Sequence, residues 1–309
     1  GVEASRDLII DGVTGYTVPA GDESAVTARL GDARGAVSAG HDRADACRAT
    51  VTARGFAAAA AGLAAACQRV VRRRRLVIEN AAGSPRVLAL CGDMVVVFGR
   101  ERMTFEVLRV LREHGAAVHC VVNSWESARI VGLAEAIGAS WSTGAYWENL
   151  RRRGWSPWGA VRVAWDVLRT SAGLVRDVRH HRATHVFVAG YTAVLRNWPV
   201  LVPLRCAHIP VVFRLGDPPD EGTFYKRLWR WLINPAVDRF VANSQFSAAE
   251  VRNVGITPSK VDVIVNAAAE RSPGPGAEPK RANRVIYVGQ MIPPKGLDVL
   301  LEAIALLVA

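Results

Sequence analysis

From residue 84 onward the chain alternates between short, wholly apolar runs and longer stretches with a one-sided apolar face. "RVLALCG" is all apolar, "TFEVLRVLREHG" repeats apolar residues at helical spacing up to Gly115, and "AVHCVVN" is apolar again. Later runs of the first kind are "THVFVAG", "IPVVFRLG", "DRFVANS" and "VDVIVNA". A strand that is apolar on both sides must be covered on both sides, so strands alternating with helices predict a parallel sheet between two helical layers. A Rossmann-like α/β domain is expected over residues 84 to 270.

The flanks read differently. Ahead of the sheet, "DGVTGYTVPAGD" predicts an Asp11-Gly12 turn, a short strand over Tyr16 to Val18 and a loop, with a helix opening near Ser24. Residues 42 to 73 are Ala-rich and helical, with Phe56, Leu63, Cys67 and Val70 on one face and Arg72 to Arg75 at the negative end of the dipole. Residues 77 to 83 and 271 to 283 are rich in Gly, Pro or charge and read as linkers. After the second linker, "RVIYVGQ" predicts a new buried strand, and "GLDVLLEAIALLVA" a helix with Leu297, Leu300, Leu301, Ile304 and Val308 on one face. The expected organisation is a partial domain over 1 to 76, the sheet domain over 84 to 270, and the beginning of another domain over 284 to 309.

Composition narrows the chemistry only a little. The chain has 309 residues, half of them hydrophobic, and a formal net charge of +11. Anionic partners are consistent with that charge, but so is a GC-rich genome, since all cationic residues except Lys226, Lys260, Lys280 and Lys295 are arginine. The five cysteines, Cys47, Cys67, Cys91, Cys120 and Cys206, are scattered without a C-x-x-C pair, which predicts free buried thiols and neither disulfides nor zinc. No apolar stretch reaches the ~18 uncharged residues that span a bilayer, and no signal peptide is recognisable. A cytoplasmic protein, or one peripheral to the inner face of a membrane, is expected. Because the chain opens with Gly1 and its first methionine is Met94, it reads as a fragment of something longer.

Three segments resemble one family, the retaining nucleotide-sugar glycosyltransferases of family 4, which have the two-domain GT-B architecture. "VIYVGQMIPPKGLDVLLEAIALL" is similar to the opening of their donor-binding domain. "DRFVANSQFSAAEVRNVGITPSKVDVIVNA" is similar to the stretch before the interdomain linker. "LIIDGVTGYTVPAGDESAVTARL" is similar to their "DGxTGxLVxPGD" segment, which lies late in the donor-binding domain. That order implies the tail of one unit followed by the head of another, a tandem fusion, with a circular permutant as the competing account.

The resemblance implies a reaction: a sugar leaves a nucleotide diphosphate and joins a glycan or lipid-linked acceptor with retention, as in surface polysaccharide or glycolipid synthesis. No cofactor and no metal are implied. Lys295 matches the lysine that grips the donor diphosphate, at a helix start where backbone N–H groups and the dipole also favour an anion. Gln290, beside Gly289, stands where the family has its arginine, and an amide cannot neutralise charge. Gly99, Arg100 and Glu101 match the loop that faces donor phosphates and acceptor, whereas the absence of G-x-G-x-x-G speaks against a dinucleotide. Gly216 and Asp217 stand where the family has a sugar-contacting histidine; Asp217, Asp220 and Glu221 are candidate sugar contacts, Arg214 is a further candidate, and Asn243 and Asn266 close two strands on the same edge. Ser244 is better read as a helix cap, and His180 and His181 as a solvated helix end.

One helix points elsewhere. Over "WSPWGAVRVAWDVLRTSAGLVRDVR", Val161, Trp165, Leu168, Ala172 and Val175 share a face, and Arg162, Arg169 and Arg176 recur on another. Core packing with solvated arginines is one reading, contact with an anionic membrane the other. The alternative function is accordingly a non-catalytic GT-B-like scaffold at a membrane or on a partner. Nucleic-acid binding has charge behind it but no motif and is not expected.

Overall fold

The computed structural model describes residues 9–19, 21–39, 41, 43–52, 62, 84–146, 157–216, 219, 222–266, 285–289, 291 and 296–308. It divides into two compact units, one of residues 56 to 267 and one that joins residues 1 to 55 with 268 to 309.

The larger unit is built on seven parallel strands: β1 (Arg86–Cys91), β2 (Ala117–Val122), β3 (Ser140–Thr143), β4 (His185–Val188), β5 (Val211–Arg214), β6 (Arg239–Ala242) and β7 (Val261–Val263). Their order is β3-β2-β1-β4-β5-β6-β7, so the chain reverses its direction of travel between β1 and β4. The Rossmann-like α/β reading is thereby met.

Successive side chains divide between two cores, as the pleat requires. Leu88 and Leu90 of β1, Val186 and Val188 of β4, and Val211 and Phe213 of β5 pack on one face. Val87, Ala89 and Cys91, with Phe187 and Val212 from the neighbouring strands, pack on the other. Helices α3 (Gly99–Glu113) and α4 (Ala128–Ala136) supply Phe105, Leu108 and Ile130 to the second core. Helices α5 (Pro157–His180) and α6 (Tyr191–Cys206) supply Leu174, Val178, Val194 and Leu201 to the first. Beyond β5, α7 (Thr223–Leu228) runs into one π-helical turn (Trp229–Ile233) that buries Trp229 and Ile233. Helix α8 (Gln245–Asn253) follows β6.

Helix α5 overturns the core-packing reading of its apolar stripe. Val161, Trp165 and Leu168 are exposed, as is Trp158, while the buried face carries Thr170, Ser171, Leu174, Asp177 and Val178. Polar groups can be buried there because they are satisfied: Thr170 and Ser171 donate to the Arg196 carbonyl at 3.0 and 3.3 Å.

In the smaller unit, Asp22 caps α1 (Glu23–Ser38) by accepting from Ala25 N at 2.9 Å, and α2 (Ala44–Thr52) is the described part of the Ala-rich segment. Asp11 and Gly15 form an isolated bridge around the predicted turn, with Gly12 at φ +73°, but no strand follows over residues 16 to 18. Helix α9 (Leu297–Val308) packs on α1, where Thr27 Oγ1 reaches the Ala303 carbonyl. Its predicted apolar face is only partly used, since Leu301 and Val308 stay exposed.

The predicted strand over Val285 to Val288 does not form, and Val285, Ile286 and Val288 are exposed. A parallel strand needs a ladder partner for its amides, and among the described residues none lies beside it. The linkers over 77 to 83 and 271 to 283, and the face through Phe56, Leu63, Cys67 and Val70, fall outside the described residues.

Candidate functional site

In an open parallel sheet, ligands sit beyond the carboxyl ends of the strands, where the strand order reverses. Here that point lies between β1 and β4, and the two loops meet across it. The Asp93 carboxylate, just after β1, accepts from Thr192 Oγ1 at 2.8 Å in the first turn of α6. The approach is so close that a Cβ on Gly190 would lie 1.7 Å from Asp93 Oδ2, so any larger residue there would have to displace the Asp93 carboxylate. The N-cap of α6 is Gly190, which has no side chain to cap with, and Asp93 lies at that amino end through Thr192, where the dipole favours a negative charge. The other Asp93 oxygen, Oδ1, is buried and accepts no hydrogen bond from the described residues. Nothing in the local sequence signalled this tie, because its partners are about a hundred residues apart, as the Asp93–Thr192 bond shows.

A cationic cluster lies next to it on the same edge. Helix α3 opens at Gly99, with Glu101 at its third position accepting from Phe98 N at 3.1 Å. The second Glu101 oxygen holds Arg100, through Nε at 2.8 Å and Nη2 at 2.7 Å. Both oxygens of this buried carboxylate are thus used to shape the helix start. The Arg100 stem lies on Gly216, where a Cβ would come within 2.4 Å of its Cδ.

Arg214 ends β5 and is 4% exposed. Its guanidinium donates to Thr104 Oγ1 at 3.2 Å and to Asn266 Oδ1 at 2.7 Å, which ties β5 to α3 and to the residues after β7. Burial, with help from the Arg100 charge and against that of Glu101, pushes Arg214 down to about 10, so it stays cationic at neutral pH. Asn243 donates to the Gly216 carbonyl at 3.3 Å and accepts from Ser247 at 2.8 Å. Ser244 caps α8, as expected, accepting from Ser247 N at 3.0 Å.

The structure thus brings together six of the predicted site residues: Gly99, Arg100, Glu101, Arg214, Asn243 and Asn266. Asp217, Asp220, Glu221, Gln290 and Lys295 lie outside the described residues, and Gly289 belongs to the smaller unit. Two arginines, one carboxylate and the amino end of α3 give this cluster a net positive charge, suited to an anion that approaches the sheet, while Asp93 adds a second carboxylate to the same edge. Among the described residues no three metal-binding side chains gather at one point, and no helix is long and apolar enough to cross a membrane.

At the opposite, amino end of the sheet the histidine reading is corrected. His181 does not simply face solvent: it stacks on His119 with ring centroids 3.5 Å apart, and His180 meets it edge-on at 4.7 Å. His119 is fixed by Ser140 Oγ and Ser142 Oγ at 2.9 and 2.8 Å. Cys91 and Cys120 are buried free thiols as predicted, whereas Cys206 is exposed.

The chain matches Glycosyltransferase Family 4 over residues 99–268. That covers more than half of the chain, which therefore belongs to this family; with its parallel sheet, the larger unit is a Rossmann-like domain of the GT-B type. No curated protein matches the chain. Among solved structures, Anabaena HepE in complex with UDP-glucose is similar at 18% identity and a TM-score of 0.42, over 59% of this chain and 43% of that one. Acinetobacter baumannii MurG is similar at 12% identity and 0.39, over 61% and 47%. The UDP-GlcNAc 2-epimerase of Neisseria meningitidis with UDP-GlcNAc bound is similar at 11% and 0.39, over 58% and 45%. The chain spans less than half the length of each of these structures.

Proposed function

We propose that this chain is part of a glycosyltransferase that moves a sugar from a nucleotide-diphosphate sugar to a glycan or lipid-linked acceptor, with retention and without a metal. The observation that carries the reading is the net-positive cluster of Arg100, Arg214 and Glu101 at the carboxyl edge of a family 4 domain. A diphosphate leaving group gains negative charge as the bond to the sugar breaks, and cations already held in place stabilise it without reorganising. Lys295 is proposed to grip that diphosphate, with Gly289 and Gln290 beside it. Arg100 and Gly99 then face the phosphates, while Arg214, Asn243, Asn266 and Asp217 line the edge toward sugar and acceptor.

A panel of sugar nucleotides, with release of the nucleotide followed for the full-length protein, tests this. Lys295→Ala and Arg100→Ala are each expected to lower turnover by about 10²-fold, the size typical of removing one preorganised charge-stabilising group. Turnover unaffected by either substitution would remove the reading. Chirality of the anomeric product decides between retention and inversion.

The exposed stripe of α5 favours a second feature, peripheral contact with an anionic membrane. Trp158 and Trp165 are 78% and 62% exposed, beside Arg162 and Arg169 on the same helix, the mixture that binds a bilayer surface. A protein that floats with anionic vesicles yet turns over no sugar nucleotide would instead be the non-catalytic scaffold.

A further inference from the structure

Helices α5 and α6 and the π-helical turn after α7 feed one core, through Leu174 and Val178, Val194 and Leu201, and Trp229 and Ile233. They therefore form one layer on the same face of the sheet, with α6 in the middle and touching both of the others. The outward sides of all three carry aromatic residues: Trp158 and Trp165 on α5, Trp198 on α6, Phe224 and Trp231 on α7 and its π-helical turn. Phe224, Arg227 and Trp231 stand at i, i+3 and i+7, the spacing of Trp158, Val161 and Trp165 on α5. Trp231 is 68% exposed, whereas Trp229 and Ile233 on either side of it in sequence are buried. The same turn thus fixes the segment to the core and directs its aromatic stripe outward.

Charge sets this layer apart. Helix α6 and the α7 segment contain no acidic residue. Both acids of α5 already pair with arginines, Asp166 with Arg196 at 3.3 Å and Asp177 with Arg176 at 2.9 Å. Arg162, Lys226 and Arg227 are exposed, and among the described residues no carboxylate pairs with any of them. On the opposite face of the sheet, by contrast, Arg109 of α3 is paired with both Glu106 and Glu113. Unpaired cations beside outward tryptophans match an anionic lipid surface, where the charge is attracted and indole rings settle at the level of the head groups.

We propose that α7 and its π-helical turn are a second membrane contact, so that an anionic bilayer is met by the whole outer side of this layer and not by α5 alone. The proposal rests on the membrane contact of α5 inferred above. Strands run along the helical layer that covers them. A bilayer lying on that layer therefore leaves the carboxyl edge, with Arg100 and Arg214, open along the membrane surface and not away from it.

Flotation of the full-length protein with phosphatidylglycerol vesicles, with phosphatidylcholine vesicles as the neutral control, tests this. Binding to phosphatidylglycerol alone, weakened by salt, is expected. Phe224→Ser with Trp231→Ser, Lys226→Gln with Arg227→Gln, and Trp158→Ser with Trp165→Ser are each expected to weaken it by about 10-fold or more. All six side chains are exposed, so each pair should leave the fold intact, as circular dichroism would check. Wild-type binding in either α7 pair, with loss in the α5 pair, would overturn the proposal and leave the α5 contact standing. Loss confined to the α7 pairs would remove α5 from the contact, and the proposal with it. No binding by the unsubstituted protein, or equal binding to both lipids, would overturn the membrane reading as a whole. A dimer in solution that the same pairs dissociate, without vesicle binding, would assign this face to a second copy and do likewise.

Discussion

"RVLALCG" and "RVIYVGQ" are nearly the same pattern, yet they meet different fates. The first becomes β1, paired with β2 through Arg86 to Cys91 and with β4 through Val87 to Leu90, and it buries Leu88 at 0% exposure. The second forms no strand, and its Val288 is 91% exposed. Apolar, β-branched composition makes a segment fit for the middle of a parallel sheet. Fitness alone does not order it. The ladder partners on both sides satisfy its amides and cover its side chains, and those come from elsewhere in the chain.

The most severe way to break this comparison is to cut into β1 itself. Leu88→Ala and Leu90→Ala remove fully buried side chains and are each expected to cost about 3 kcal/mol of unfolding free energy, read from denaturant midpoints. Gly190→Ala should follow. Its Cβ would collide with Asp93 Oδ2, separating the β1 loop from α6, at about 1–3 kcal/mol. A loss below ~0.5 kcal/mol, within the range of ordinary surface changes, would mean that this contact does not hold the edge together.

A milder probe acts on the strand next to β1. Burial first, then the His181 and His180 charges, lower His119 to about 4, against the opposing pull of Asp177. The fold favours its neutral form, so the unfolded chain takes up the proton first. Stability from this group is complete above about 6.5, the ordinary histidine value, and is lost as pH falls toward 4. Arg176, which bonds Asp177, and Arg86, beside His119 in the amino-end pocket, add positive charge there. His119→Asn should flatten the slope of stability against pH in that window; an unchanged slope would show that other groups govern it. The smallest effect is expected at the other end of the comparison: Ile286→Ala, at a side chain 74% exposed, should change stability by less than ~0.5 kcal/mol.

Part of the candidate site was legible in the sequence. Gly99, Arg100 and Glu101 are reached through the family resemblance, as a loop ahead of a helix over "TFEVLRVLREHG"; the structure corrects this, since the helix already starts at Gly99 with Glu101 in its first turn. Ser244 was readable as a cap because capping is local. Asp93 was not, since what makes it notable is Gly190 and Thr192, brought opposite by the pairing of β1 with β4. The α5 stripe shows the opposite failure. Its periodicity is visible, but periodicity says only that one face is apolar, not which way that face turns. The buried side of α5 instead mixes Leu174 and Val178 with Thr170 and Ser171, whose hydroxyls find the Arg196 carbonyl. His181 looked like a solvated helix end until His119 supplied its stacking partner.

What the sequence by itself determined is everything carried by short-range pattern: strands apolar on both faces, helices between them, caps and turns, and the family those segments resemble. These follow from steric and hydrogen-bonding preferences over a few residues. Only the tertiary structure decided which of two equivalent apolar runs becomes a strand, which face of α5 meets the core, and that Asp93, Arg100 and Arg214 gather on one edge of the sheet. Those outcomes depend on partners distant in the chain, and burial energy is assigned to a residue only once such partners have arrived.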